Sequence, residues 1–227
     1  MVRPMDFMKW LNSLDELLYE VMSWLIFFPI TLWRATVRPL TTMAGVEHEL
    51  DLPEDQQFAS VLSPPLFLAL ALLVAHGVST ALGEADALVA NQHGLAALVD
   101  DNATAFVVRV VVFAGFPLFL AARLVRSTGA TLDRITLQRP FYAQCYPAAV
   151  FALGITLGTS LAQLTEPAAS VPGKVLLGAS VLNFVAIETI WFARQQGRGV
   201  ARALANVLLG LLHGAALFLL VGFLLTR

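Results

Sequence analysis

Long apolar stretches constrain this chain more than any other feature of its sequence. Five are long enough to cross a bilayer, which needs about 20 predominantly apolar residues per helix because every backbone N–H must be bonded within its own segment. They cover residues 64–82, 105–122, 141–164, 175–193 and 203–226. Only 13% of the residues are charged, about half the usual fraction in soluble domains. The sequence therefore predicts an all-α, polytopic membrane protein with five transmembrane helices and excludes a soluble domain.

The positive charges are distributed unevenly between the predicted connections. Eleven of the 14 Lys and Arg residues fall in segment 1–63 or in the connections after the second and fourth spans. Because Lys and Arg in short loops stay in the cytoplasm, we expect a cytoplasmic N-terminus and a periplasmic C-terminus in a bacterial inner membrane. The net charge of −2 provides no global basic field for a nucleic-acid backbone, so no nucleic-acid partner is expected.

Residues 1–63 are predicted to form a region distinct from the five-helix domain 64–227. Apolar residues from Phe7 to Leu25 repeat at helical spacing opposite a polar face, which is typical of a helix in the membrane interface. The apolar stretch 21–33 has only 13 residues and contains Pro29. We interpret it as entering the cytoplasmic leaflet and returning; a surface helix packed on the bundle is the alternative. The expected interfacial anchors are Trp10, Trp24, Trp33, Arg34 and Arg38.

Two connecting segments differ in composition from the predicted spans. Residues 41–63 carry an acidic run with Pro53, which indicates a solvated cytoplasmic linker. Residues 84–104 are too long for a tight turn and contain spaced apolar residues, which favour a short helix on the outer surface.

Glu188 is the most informative polar residue within the spans. It lies six residues before Arg194, about 9 Å from the inner end at 1.5 Å per residue, so its carboxyl is too short to reach the headgroups. It must be protonated, hydrated or paired. Depth along the antiparallel spans predicts a hydrogen-bonded cluster with Gln144 and Asn183, whereas Arg109 near the outer end can snorkel.

His76 and His213 fall at a similar predicted depth on the first and fifth spans. Such a pair suggests bis-histidine haem ligation, but two lone histidines on small-residue helices are more often packing residues. The sequence contains none of the common hydrolase, zinc or phosphate-binding motifs, and its single cysteine, Cys145, has no partner histidine nearby. We therefore predict no catalytic residue, no metal site and no cofactor.

Small residues recur at four-residue spacing on two spans. Gly154 and Gly158 continue to Ala162 on the third span, and Gly210 and Gly214 lie on the fifth. Such stripes let helix backbones approach closely. Internal packing is the main interpretation, and an oligomer face is the other.

The order of these features resembles that of the Yip-type (YIPF) five-span membrane family. The resemblance covers residues 60–227 and rests on the long N-terminal segment, the Ser63-Pro64-Pro65 entry to the first span and the external C-terminus. The segment from Asp15 to Arg34, with the same Ser-Pro-Pro entry, also looks like bacterial proteins described as permease-like, a description that implies no substrate.

Two functional hypotheses follow. The first is a non-enzymatic inner-membrane protein that organises or regulates a membrane protein or lipid assembly through its amphipathic helix. The alternative is a transporter or permease component that moves a lipid or another amphipathic small molecule past Glu188. The expected partners are membrane lipids and either other membrane proteins or further copies of this chain.

Overall fold

The computed structural model describes the backbone of residues 4–82, 102–197 and 199–226. Within these ranges, the side chains of residues 4–12, 102–105, 108, 109, 112, 218, 222 and 224–226 are not described. The described chain is all-helical. Its helices are α1 (Pro4–Val37), α2 (Pro39–Asp51), α3 (Pro64–Ala81), α4 (Asn102–Thr128), α5 (Arg134–Gln163), α6 (Pro167–Gln196) and α7 (Val200–Thr226).

Within the described ranges, five helices are long and apolar enough to cross a membrane, which confirms the predicted fold class. Four of the five apolar stretches coincide with predicted spans, namely Pro64–Ala81, Arg134–Gln163, Pro167–Gln196 and Val200–Val221. The fifth, Ser13–Val37, lies in the region predicted to be interfacial. The predicted second span, 105–122, forms the middle of the 27-residue helix α4.

Local sequence explains where several helices begin. Proline occupies the first turn of α2, α3 and α6, where its missing N–H removes no helix bond. Helix α5 begins with a capping box, in which Asp133 Oδ1 accepts from the Thr136 N–H at 2.8 Å and Thr136 Oγ1 accepts from the Asp133 N–H at 3.1 Å. This cap starts α5 seven residues before the predicted span, so Pro140 lies inside the helix.

Helix α5 is the centre of the bundle. It contacts α3, α4 and α6 along its length, and also α1 and α2, while α7 closes the bundle against α4 and α6. The residues that α5 buries are mostly small, including Ala143, Ala148, Ala149 and Ala152. Small side chains allow helix backbones to approach closely. Such packing holds helices together in a membrane, because lipid is as apolar as the helices and provides no hydrophobic driving force for their association.

Both glycine stripes lie in internal helix interfaces, as the sequence predicts. A Cβ on Gly158 of α5 would lie 2.8 Å from the backbone nitrogen of Leu177 on α6. On α7, a Cβ on Gly210 would lie 2.7 Å from Leu120 Cδ2, and one on Gly214 would lie 2.7 Å from Phe116 Cδ1. These two stripes therefore join α5 to α6 and α7 to α4.

The predicted return of the chain within residues 21–33 is wrong. Helix α1 is continuous through Pro29 and changes direction only at Arg38, which has non-helical dihedral angles before α2. The 25 residues from Ser13 to Val37 extend about 37 Å at 1.5 Å per residue, which exceeds the thickness of a bilayer core. One proline removes a single helix hydrogen bond, and here that loss does not interrupt the helix.

The predicted solvated linker 41–63 is wrong for its first half. Helix α2 occupies most of its first half, and Met43 and Val46 of this helix are fully buried in the core. The following turns are tied back to the bundle, because the Leu62 N–H donates to Thr31 Oγ1 at 3.0 Å and the Tyr146 hydroxyl donates to Leu62 O at 3.1 Å. The prediction followed the acidic residues of α2 and overlooked the apolar residues that form another face of the same helix. The predicted surface helix in 84–104 lies almost entirely outside the described residues.

Candidate functional site

Glu188 and Gln144 form a buried polar pair at the contact between α5 and α6. Both side chains are fully inaccessible to solvent, and Gln144 is the polar side chain with which the Glu188 carboxyl interacts. Helix α6 directs Glu188 inwards because Phe184, Trp191 and Phe192, at helical spacing from it, bury the same face. The structure places Glu188 beside Gln144, as predicted, but without the predicted hydrogen bond of normal geometry.

The pair has unused hydrogen-bonding capacity. Across the described part of the chain, both carboxyl oxygens of Glu188, both amide atoms of Gln144 and Trp191 Nε1 are buried without a hydrogen bond of normal geometry. Buried polar groups are rarely left in this state, so the cluster can hold a proton, an internal water molecule or a polar group of a ligand. We call Glu188, Gln144 and Trp191 the buried polar cluster.

Asn183 does not belong to this cluster, in contrast to the prediction. Its side chain is exposed on α6 while Glu188 is buried. Five residues along a helix correspond to a rotation of about 140°, so the two side chains point to different faces. The prediction considered only how deep the two residues lie in the membrane and not how far they are rotated from each other about the helix axis.

The two histidines are far apart along the bundle. The His76 ring lies 6.4 Å from the ring of Phe106, and the His213 ring lies 6.2 Å from that of Phe119. These two phenylalanines are 13 residues apart on α4, or about 20 Å at 1.5 Å per residue. The two histidine rings therefore contact different levels of α4, whereas the sequence predicted a similar depth for them.

A second polar contact joins α4, α6 and α7 near one end of the bundle. Arg123 Nε donates to Asn206 Oδ1 at 3.2 Å, and Asn206 Nδ2 donates to Gln196 Oε1 at 3.4 Å. Sequence reasoning placed Arg123 in a loop. No glycine or proline lies between the end of the predicted span at residue 122 and Gly129, which is the signal that α4 continues through Arg123.

A cavity of about 410 Å³ lies between α2, α4, α5 and α6 close to the buried polar cluster. Its wall is mostly apolar, with Val46, Leu124, Ala143 and Trp191 among the lining residues. At its rim, Arg139 forms a salt bridge with Asp51 of α2. Trp191 therefore belongs both to the cavity wall and to the buried polar cluster.

The predicted interfacial anchors have different environments. Trp33 is 69% exposed, whereas Trp24 is half-buried and its Nε1 donates to Glu20 Oε1 at 3.1 Å. Arg34 Nη1 donates to Ser60 Oγ at 3.3 Å, and Arg38 forms the N-terminal boundary of α2. The side chains of Trp10 and Arg109 lie outside the described residues.

Comparison with known proteins gives no match to any family model, curated protein or solved structure.

Proposed function

We propose that this chain is a non-enzymatic integral membrane protein that organises or regulates a membrane protein or lipid assembly through α1. The observation that carries the proposal is the apolar surface that α1 exposes. Its side chains Leu17, Leu18, Met22, Leu25 and Ile26 are each between 52% and 67% exposed.

Helix α1 is attached to the bundle at its C-terminal end. Thr31 and Ala35 are buried there, and Thr31 accepts the hydrogen bond from the Leu62 N–H. The preceding turns extend beyond this attachment and carry Asp15, Glu16 and Glu20 among the apolar residues. A helix held at one end, with apolar and acidic surfaces, can contact lipid and a second membrane protein together.

The cellular location proposed is a bacterial inner membrane, with the N-terminus in the cytoplasm and the C-terminus in the periplasm. This orientation requires α1 to lie in the cytoplasmic interface of the membrane instead of crossing it. Support comes from the arginine-rich end of the bundle, which we define by Arg34, Arg38, Arg126, Arg139 and Arg194. They lie at the C-terminal ends of α1, α4 and α6 and near the N-terminal end of α5, which meet at one end of the bundle. The positive-inside rule predicts such an arrangement at a cytoplasmic face. We also propose a relationship to the Yip-type family, which rests on the sequence features named above.

Assembly in extracted native membrane tests the role of α1. We expect patches extracted with an amphipathic polymer to retain a stoichiometric membrane-protein partner, a second copy or a defined set of lipids. Replacing Leu17, Leu18 and Leu25 with alanine should remove that component. The matched control replaces Leu182, Leu208 and Leu212, which are also exposed but lie on α6 and α7. Equal composition in both variants would contradict the proposal.

Cysteine labelling tests the orientation. The only native cysteine, Cys145, is fully buried, so wild-type protein provides a low background. Thr131→Cys should react only with a reagent that has access to the cytoplasm, and Glu166→Cys only with an external reagent. The opposite pattern would reverse the proposed orientation.

A second candidate function is transport of a lipid or another amphipathic small molecule past Glu188. The buried polar cluster beside an apolar cavity supports it, because a transporter needs a polar group at membrane depth and room for a substrate. If transport requires a titratable carboxyl, Glu188→Gln at matched expression should abolish the phenotype that the protein supports. Full complementation by Glu188→Gln would leave the assembly role as the better explanation.

A further inference from the structure

A second cavity, of about 350 Å³, lies between the end of α1, the start of α2 and residues 60–61. Arg34 and Arg38 line it from the α1 side, and Thr41, Thr42 and Gly45 line it from α2. It is separated from the larger cavity by α2, whose Val46 borders both. We propose that this cavity binds the phosphate group of an anionic phospholipid from the surrounding membrane.

Two guanidinium groups supply the charge that a phosphate requires. Arg34 and Arg38 are one helical turn apart, and the Arg38 N–H donates to Arg34 O at 2.8 Å. Among the residues described, neither arginine forms a salt bridge, and Arg34 bonds only to neutral oxygens of Ser60, at 3.3 and 3.4 Å. Arginine donors bind phosphate through paired, charge-assisted hydrogen bonds.

One acidic residue, Glu49, also lines the cavity. Its Oε2 accepts a hydrogen bond from the Phe58 N–H at 2.6 Å, so this carboxylate already has a donor from the protein. The two arginines leave the lining with a net positive charge. The positive end of the α2 helix dipole adds to it, since Thr41 and Thr42 in the first turn of α2 line the same cavity.

The surface next to the cavity fits the acyl chains of a lipid. Ile30, Trp33 and Val37 share one face of α1 with Arg34, at helical spacing, and Arg38 follows directly after this helix. The three apolar side chains are 38%, 69% and 51% exposed. A soluble phosphate would leave this apolar surface uncovered, whereas a phospholipid covers it while its headgroup contacts the arginines. Tryptophan at headgroup depth is common in membrane proteins. The apolar surface is the reason for choosing a lipid over a free anion. This site does not depend on whether α1 also binds a protein partner.

The test uses purified full-length protein in nanodiscs of phosphatidylcholine, with or without phosphatidylglycerol, and counts retained lipids by native mass spectrometry. We expect wild type to retain phosphatidylglycerol in preference to phosphatidylcholine. Arg34→Gln with Arg38→Gln should weaken that preference by about tenfold or more, because each charged hydrogen bond lost has a large effect. The matched control, Arg126→Gln with Arg194→Gln, removes the same charge from the same end of the bundle and should retain it.

A third variant blocks the cavity without changing its charge. A Cβ on Gly45 has nothing within 4 Å, so Gly45→Leu places its side chain in open space and should abolish the preference in a folded protein. Equal retention of phosphatidylglycerol by wild type, Gly45→Leu and the Arg34/Arg38 variant would overturn the proposal. Protection against thermal unfolding by inorganic phosphate alone, equal to that by phosphatidylglycerol, would also overturn it and indicate a soluble anion as the ligand.

Discussion

Helices α1 and α5 are both long and apolar and both contain proline, yet α1 is mostly exposed at the surface whereas α5 lies at the centre of the bundle. Only 6% of the residues in the most apolar part of α1 are buried, compared with 50% of the residues in the most apolar part of α5. Of the helices described, α5 contacts five others, whereas α1 is attached mainly through its last turns.

Side-chain size explains the difference better than hydropathy does. The buried face of α5 carries alanines and Gly158, while the corresponding part of α1 carries leucine, isoleucine and methionine. The one alanine near the end of α1, Ala35, is buried where that helix meets the bundle. Because lipid is as apolar as leucine, close packing of small residues decides which helix becomes internal.

The largest effect is expected from Gly158→Ala in the α5 and α6 contact. The new methyl group would lie 2.8 Å from backbone nitrogen and 3.0 Å from Cα of Leu177, so the helices must separate. We expect a loss of about 2 kcal/mol in the free energy of unfolding, measured by denaturant titration in micelles. Gly178→Ala is the matched control, since its Cβ has nothing within 4 Å. Equal losses in both variants would show that close approach does not distinguish α5.

Substitutions in the buried polar cluster should have the next largest effect. Glu188→Gln keeps the shape and the polar atoms of the side chain but cannot ionise, so stability should be unchanged or higher. Glu188→Leu leaves Gln144 without its polar neighbour and should lower the free energy of unfolding by about 1–3 kcal/mol. Adding Gln144→Leu should recover most of that loss, because replacing both partners by apolar groups is nearly neutral. Additive losses in the double variant would contradict coupling between these two residues.

A smaller, pH-dependent effect is expected where α2 joins α5. The hydrogen bond and charge of Arg139 hold the pKa of Asp51 below its ordinary value of 3.8. A lowered folded-state pKa stabilises the fold fully above the unfolded-state value, and this contribution is lost as the pH falls through the folded-state value. Thermal midpoints of wild type and Asp51→Asn should therefore differ slightly at pH 7 and converge below about pH 3.8. Asp55→Asn serves as the control, and high salt should shrink the difference for Asp51.

The smallest effect on stability is expected from α1. Replacing Leu17, Leu18 and Leu25 with alanine removes exposed side chains and should change the free energy of unfolding of the bundle by no more than about 0.5 kcal/mol. Thermal unfolding of the variant in detergent provides the measurement. A loss comparable to that of Gly158→Ala would mean that α1 packs as an internal helix after all.

Parts of the candidate site could be derived from the sequence and parts could not. Glu188 is conspicuous because a carboxyl lies deep in an apolar span, and antiparallel spans bring Gln144 to the same level. Trp191 could have been found from its position one turn after Glu188. The exclusion of Asn183 also follows from helix rotation, whereas the contact of Arg123 with Asn206 depends on how α4 and α7 cross.

By itself, the sequence determined that the chain forms apolar helices for a membrane, because hydropathy and length depend only on the order of residues. It also identified the small-residue stripes and the carboxyl that lies too deep to reach the headgroups. Only the tertiary structure decided that α5 is central, that α2 packs against the bundle beneath an acidic surface, and that Arg34 and Arg38 line one cavity. These outcomes depend on which helix faces meet, and that choice is a property of all the helices packed together.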